Sequence, residues 1–268
     1  MPSKKLMDGY VVAIPSYNRA ELLKTKTLSM LQKGGVERKR IYVFVANKEE
    51  EALYRQTLDP ATYHKLVVGE KGITQQRRFI VRYFAEGQAI VSVDDDVEIL
   101  QQLSADGEKL RPMTDVDGFF RKAFAELRAR DLYLWGVYPT PNPFYMKGQK
   151  PVSTGLRFVI GLLHGFINRH DADLRPSLET AEKEDVHLSI LAFIKDGGLL
   201  RFNHVSFKTK FKAPGGLGKI EHRMEANKRA AEFLAKTYPQ YARIRVRKNG
   251  MYEITLREFK VSNKHSTT

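Results

Sequence analysis

Four short apolar runs constrain this chain more than anything else in it. Tyr10 to Ile14 (YVVAI), Ile41 to Val45 (IYVFV), Lys65 to Val68 (KLVV) and Ala89 to Val93 (AIVSV) have the length and β-branched content of buried strands. Helical patterning fills the gaps between them. Asn18-x-x-Glu21 has the form of a capping box, and Leu23, Thr27, Met30 and Leu31 follow at helical spacing before Gly34-Gly35. Lys48 to Leu58 reads as a second helix, stopped by Asp59-Pro60. Ile73 to Glu86, closed by Gly87, is a third. A β-α-β-α-β-α-β alternation predicts an α/β fold whose mostly parallel sheet is covered on both faces. Ligands of such sheets sit beyond the carboxyl ends of the strands. Two polar clusters fall at that edge: Pro15-Ser16-Tyr17-Asn18-Arg19 after the first strand, and Asp94-Asp95-Asp96 after the fourth.

Beyond the aspartates the pattern is less regular. Phe119 to Arg130 reads as a helix, Leu132 to Val137 as a strand, and Thr140 to Lys150 as a long loop over the site. Arg157 to Asn168 reads as a strand pair, Ala181 to Ile194 as a helix, Leu199 to Phe207 as a strand and Ile220 to Thr237 as a helix. Asn249-Gly250 between two alternating runs signals a terminal hairpin. Its alternation puts Arg243, Arg245 and Arg247 on one face. The expected organisation is one domain over residues 1–218, in halves 1–98 and 99–218, with a basic helix-and-hairpin extension over 219–268.

Charge is concentrated at the C-terminal end. Residues 201–268 hold 16 Lys/Arg against 5 Asp/Glu, a net +11 in a chain of net +14. That asymmetry points to an acidic partner such as a polyanion, or to a solvated basic tail or a site for phosphate-bearing small molecules. The 268 residues contain no cysteine, which excludes disulfides, thiolate zinc sites and cysteine nucleophiles. The sequence has no run long enough to span a membrane and no apolar leader at MPSKKLMDGY. A cytoplasmic protein is the expectation.

Three adjacent carboxylates after a strand repel one another unless a cation or hydrogen bonds compensate. Oxygen ligands favour Mg²⁺ or Mn²⁺, and these ions pair one or two carboxylates with substrate phosphates. Strand alternation would send Asp94 and Asp96 to one side and Asp95 to the other. Alternation also puts Lys208, Lys210 and Lys212 on one face, ahead of Gly215-Gly216. Cations beside closely approachable backbone suit a departing diphosphate, or the phosphates of a DNA acceptor. Gly161 to Asn168 (GLLHGFIN) has small residues that would admit a sugar, or that simply bend the chain. Trp135 and Tyr138 are core residues or a platform for a flipped base.

YVVAIPSYNRAELL, GEKGITQQRRFIV and IVSVDDDVE together resemble a family 2-type glycosyltransferase of the GT-A fold. More closely, they resemble the TET/JBP-associated glycosyltransferases of bacteriophages, enzymes thought to glycosylate hydroxymethylated pyrimidines in DNA. The resemblance spans roughly residues 10–220 and implies a nucleotide-sugar donor, probable linkage to UDP being part of that expectation. It also implies that Pro15, Ser16, Tyr17 and Arg19 line the uridine and diphosphate pocket, with Gly72, Gln76 and Arg77 holding nucleotide and sugar. Asp94 and Asp95 would serve the donor, and Asp96 the metal, with His204 completing the metal shell in preference to His164. Lys210 and Lys212 would meet the diphosphate. Inverting members place an acidic pair at a helix start, so Glu184-Asp185 is the matching pair and Asp185 the general base. The sequence departs from the common A-R-N segment in having Gln76-Arg77-Arg78. Two other readings stand beside this one: the same chemistry on a carbohydrate, lipid or protein acceptor, and a non-catalytic nucleic-acid-binding protein with a degenerate GT-A domain.

Overall fold

The structure, a computed structural model, describes residues 9–209 and 220–257, with backbone alone at 220–223. The four apolar runs form β1 (Tyr10–Pro15), β2 (Ile41–Val45), β3 (Lys65–Val68) and β4 (Ala89–Val93). The segments between them form α1 (Ala20–Leu23), which continues through a π-helical turn into α2 (Ser29–Lys33), then α3 (Lys48–Thr57) and α4 (Ile73–Tyr83). After the aspartates come β5 (Val97–Leu103), β6 (Leu110–Pro112), α5 (Val116–Ala129), β7 (Leu134–Val137), α6 (Pro143–Met146), β8 (Val152–Ser153) and β9 (Leu163–Ile167). The chain closes with α7 (Glu184–Asp196), β10 (Leu200–Phe202), β11 (Val205–Thr209), α8 (Ile220–Thr237), β12 (Ala242–Val246) and β13 (Tyr252–Leu256).

The main sheet has eight strands in the order β3-β2-β1-β4-β9-β7-β10-β8. The first four are parallel, β9 runs against β4 and β7, and β10 is parallel to β7. The carboxyl ends of β1, β4, β7 and β10 therefore share one edge. Period-2 alternation splits the core between the faces. Val12, Ile14, Val43, Val91 and Val93 pack on one side with Phe120 and Phe124 of α5. Ala13, Phe44 and Ile90 pack on the other with Ile80 and Phe84 at α4.

Several elements differ from the sequence reading. Asn18 adopts a left-handed conformation (φ 54°), and α1 starts after Arg19 with no side-chain cap. No capping box forms there, because Asn18 turns the chain and Glu50 takes its N–H instead. The strand pair expected at 157–168 is the single strand β9, preceded by an extended link. The strand expected at 199–207 breaks at Asn203-His204, where the chain leaves the main sheet for a second one, β11-β5-β6. That small sheet was not anticipated, because Val97–Leu103 alternates too weakly to read as a strand. The helix expected from Ala181 begins at Glu184, after a tighter 3-10 segment at Leu178–Lys183. Near the C-terminus, Leu234 of α8 and Ala242 of β12 pack on Val186 and Ile190 of α7. Among the described residues no helix is long and apolar enough to cross a membrane.

Two glycines of the GLLHGFIN segment make room for the protein's own side chains. A Cβ at Gly165 would lie 2.2 Å from Nε1 of Trp135, and one at Gly161 would lie 2.5 Å from a guanidinium nitrogen of Arg77. Trp135 is fully buried among Phe119, Phe124 and Phe202 and has nowhere to go. Gly165→Ala is expected to cost about 1–3 kcal/mol or more in chemical denaturation, as overpacked cores do. An unchanged unfolding midpoint would contradict this packing.

Candidate functional site

The edge where β1 and β4 end is built from interlocking carboxylates and cations. Asp95 is buried, and it accepts from Ser16 Oγ at 2.6 Å and from Arg19 at 3.3 Å. The same Ser16 oxygen lies 2.6 Å from the Tyr54 hydroxyl of α3, which accepts the Arg19 backbone N–H. Burial pushes the Asp95 carboxyl up to about 6, against the hydrogen bond from Ser16 and the charge of Arg19. Asp95 and Ser16, both expected to serve the donor, bolt the β1 loop to the end of β4. Pro15 is buried as the last residue of β1. Tyr17 is half-buried and stacks under the Lys71 ammonium, 5.6 Å from the ring centre. The sequence reading did not single out Lys71; its place in GEKG, directly before the helix that carries Arg77, was the available signal.

Gln76 is likewise engaged within the protein. Its amide accepts from Glu70 N and donates to Val45 O, bracing the loop between β3 and α4. Gly72 sits at the start of α4 with φ 98°, a conformation suited to glycine.

Asp96 keeps ligating capacity. One carboxylate oxygen is 3.6 Å from the Arg19 guanidinium. The other, Oδ1, is buried with no partner. Thr27 and Thr209 donate to the backbone carbonyls of Asp94 and Asp96 at 2.7 and 3.0 Å, which fixes the turn. The expected separation of Asp95 from its neighbours is incomplete, because 94–96 turn rather than continue the strand and Arg19 reaches both Asp95 and Asp96. Among the described residues no three His, Asp or Glu side chains converge to hold a metal ion unaided. An orphaned carboxylate oxygen beside a standing cation nevertheless fits Mn²⁺ or Mg²⁺ completed by diphosphate oxygens.

His204 is not part of that shell. Thr209 pairs with Val97, beside Asp96, whereas Val205 pairs with Gln102 at the other end of the ribbon. Five residues of extended chain put His204 about 17 Å away. Its Nδ1 is instead 3.0 Å from the Pro151 carbonyl. The physical reason is the sheet switch at Asn203-His204, which sends β11 back across the edge. His164 is buried in β9 opposite Ser92, with its Nδ1 3.1 Å from the Gly161 carbonyl. That partner is an acceptor, so Nδ1 carries the proton. Burial and Arg77 hold the ring neutral, with its pKa pushed down to about 3.

Glu184 and Asp185 open α7 and face the aspartates across Arg77. The Arg77 guanidinium donates to Asp94 at 3.0 Å and to the Gly161 carbonyl at 2.8 Å, and it pairs with Glu184. The N–H of Gly161 donates to Asp185 Oδ2 at 3.1 Å, and Val186 N donates to Oδ1. One residue, Gly161, thus ties Arg77 to Asp185 through its carbonyl and its N–H. Burial raises the carboxyl groups of both Asp94 and Asp185, and Arg77 opposes the rise at each. Arg78 donates to the Pro176 carbonyl, so it is not on a free helix face. His187, one turn along α7, bridges Thr180 and Tyr238 and is structural.

The terminal hairpin forms with Arg243 and Arg245 exposed, and Arg247 pairs with Glu253. Ile244 and Val246 on the opposite face are exposed as well, and the hairpin meets the α7–α8 cluster through Ala242, Ile254 and Leu256. Lys208 pairs with Glu98, as does Lys26. Lys210 and Lys212 lie outside the described residues.

These elements define a GT-A fold, the α/β architecture of nucleotide-diphospho-sugar transferases. The chain is similar to the mannosyltransferase PcManGT from Pyrobaculum calidifontis, solved with GDP-Man and Mn²⁺: identity 17%, TM-score 0.51, covering 86% of this chain and 64% of that one. Residues 1–349 of S. aureus TarS align at 14% identity and TM-score 0.49 over 86% of this chain and 72% of that one. The Mycobacterium tuberculosis glucosyl-3-phosphoglycerate synthase, in complex with Mn²⁺, UDP-glucose and phosphoglyceric acid, aligns at 10% identity and TM-score 0.45, over 92% and 87%. No protein-family model matches the chain, and no curated protein matches it in sequence.

A bound metal would make the aspartate turn visible in solution. Saturating Mn²⁺ at about a hundred times its Kd should stabilise the protein by about 2.7 kcal/mol, seen as a higher melting temperature. Asp96→Ala should abolish the shift. An equal shift in the variant would remove Asp96 from the ligand set.

Proposed function

We propose that the chain is a metal-dependent glycosyltransferase. It takes a sugar from a nucleotide-diphosphate donor, UDP-linked, and transfers it with inversion to the hydroxymethyl group of a modified pyrimidine in DNA. The observation that carries the catalytic reading is the convergence of Asp94, Arg77 and Asp185 through Gly161, with Asp96 in the same turn as Asp94. Asp185 accepts the proton of the attacking hydroxyl as the new glycosidic bond forms and the diphosphate leaves. Two of its lone pairs are taken by backbone N–H groups, which orient the carboxylate and leave others to accept that proton. Asp96 would hold a divalent metal together with donor oxygens, and that ion would supply charge neutralisation at the diphosphate. Tyr17 and Lys71 flank the nucleotide side of the cleft, and Arg19 stands beside the phosphates.

The DNA acceptor rests on the +11 charge of residues 201–268, on the exposed Arg243 and Arg245, and on the sequence resemblance. Cytoplasmic placement follows from that substrate. Incubation with a panel of UDP-sugars, Mn²⁺ and DNA containing 5-hydroxymethylcytosine or 5-hydroxymethyluracil tests the reading. Sugar incorporation into the modified strand alone is expected. Donor hydrolysis without labelling of either DNA would shift the assignment to the same chemistry on a carbohydrate, lipid or protein acceptor.

A further inference from the structure

We infer that Phe144 and Tyr145, flanked by Lys147 and Lys150, form a remote platform that stacks on an unpaired nucleobase several nucleotides from the one being modified. The inference rests on the DNA-acceptor reading above. Phe144 is 78% and Tyr145 54% exposed, the two most exposed large apolar side chains of the main-sheet edge loops. Their rings meet edge to face, with centres 5.2 Å apart. Exposed neighbouring aromatics are unfavourable in water and call for a partner with an apolar face.

The loop holds them in place. Asn142 caps α6 by accepting Phe144 N at 3.0 Å, Pro143 occupies the first helical position, and the Tyr145 carbonyl accepts from the Tyr138 hydroxyl. Met146, between the aromatics and Lys147, is buried as an anchor. Lys147 pairs with Glu108 in the turn between β5 and β6. That turn follows Leu103, six residues along β5 from Val97 beside the aspartates. The platform therefore lies about 20 Å from Asp96 along the acceptor half of the edge.

Charge indicates what docks there. No Asp or Glu occurs between Asp131 and Asp171; Glu108 offsets Lys147 and Asp196 offsets Arg169, which leaves Lys150 and Arg157 as the net cations of that stretch. Aromatic faces interleaved with cations are the pattern that binds single-stranded nucleic acid, through stacking and phosphate contacts. Distance excludes the target nucleotide itself. At no less than about 3.4 Å of strand per nucleotide, 20 Å is at most about six nucleotides, so only an extended polymer spans both sites.

The test uses the full chain and the double variant F144A/Y145A, whose exposed side chains make no core contact. Two single strands carry a central 5-hydroxymethylcytosine, one of about five nucleotides and one of about twenty. The variant should raise KM for the long strand by about 10- to 100-fold, with kcat, donor hydrolysis and KM for the short strand unchanged. Y145F and F144Y should retain wild-type KM. Fluorescence anisotropy on unmodified single-stranded DNA gives a second readout independent of transfer, with the same loss expected. Equal KM for the long strand, or equal anisotropy-derived Kd, in variant and wild type would overturn the platform. If the wild type binds DNA through these residues yet labels none, the acceptor reading fails while the platform stands.

Discussion

Asp185→Asn is expected to lower kcat for transfer by about 10²- to 10⁴-fold with little change in donor affinity, because it removes the base and leaves the oriented amide in its place. The position is nearly isosteric, and Gly161 N–H can still donate to the asparagine oxygen. Burial raises the Asp185 carboxyl above its ordinary value, with Arg77 and the backbone N–H groups acting against the rise. A base works only when ionised. Activity of the wild type should therefore rise with pH through an acid limb lying above the usual carboxylate pKa of about 3.9, and that limb should vanish in the variant. Glu184→Gln serves as the comparison: it loosens the pair with Arg77 but keeps the base, so the acid limb should survive at reduced rate. A variant at Asp185 that retained more than about a tenth of wild-type kcat would move the base elsewhere.

The parts of this molecule that were legible in the sequence are those whose physics is local. Val12, Ile14, Val91 and Val93 announce buried strands because a parallel sheet covered on both faces tolerates apolar residues at every position. The three aspartates announce a site of charge because like charges at adjacent positions demand compensation, which Arg19 and Arg77 supply. What the chain does not disclose locally depends on partners far away in it. Alternation through Asn203-His204 gives no sign that the strand changes sheets there, so His204 was assigned to a shell about 17 Å from it. Asp95 and Gln76 occupy motif positions, yet Ser16 and Arg19 claim the first and the backbone of Val45 and Glu70 the second. Gly161 and Gly165 invited a substrate, but it is Arg77 and Trp135 that need the space. Arg77 itself was expected as a residue holding nucleotide and sugar. Its three partners come from β4, from the link before β9 and from α7, which no helical periodicity reveals.

Arg77→Ala follows from that convergence and should be the most damaging single substitution at the site. Arg77 and Glu184 are both largely buried, and removing the cation leaves Glu184 and Asp94 without their counter-charge. Breaking one partner of a buried pair costs about 3–5 kcal/mol, a large share of a typical domain's stability. Some of the loss can be relieved by protonation, since burial already raises Asp94 and Asp185 and Arg77 lowers both. The sign follows directly. Without Arg77 these groups hold protons to higher pH in the folded state than in the unfolded one, so the variant's stability falls as pH rises through that window. Its deficit relative to wild type should be smallest in mild acid and largest at neutral pH, measured by urea denaturation across pH. Activity should suffer in parallel, with the acid limb of kcat displaced upward. Arg77→Lys should recover only part of either loss, because an ammonium cannot reproduce the planar fork that meets Asp94, Gly161 and Glu184 together. A destabilisation independent of pH would show that Arg77 acts by packing alone, and would separate the aspartate turn from the catalytic helix.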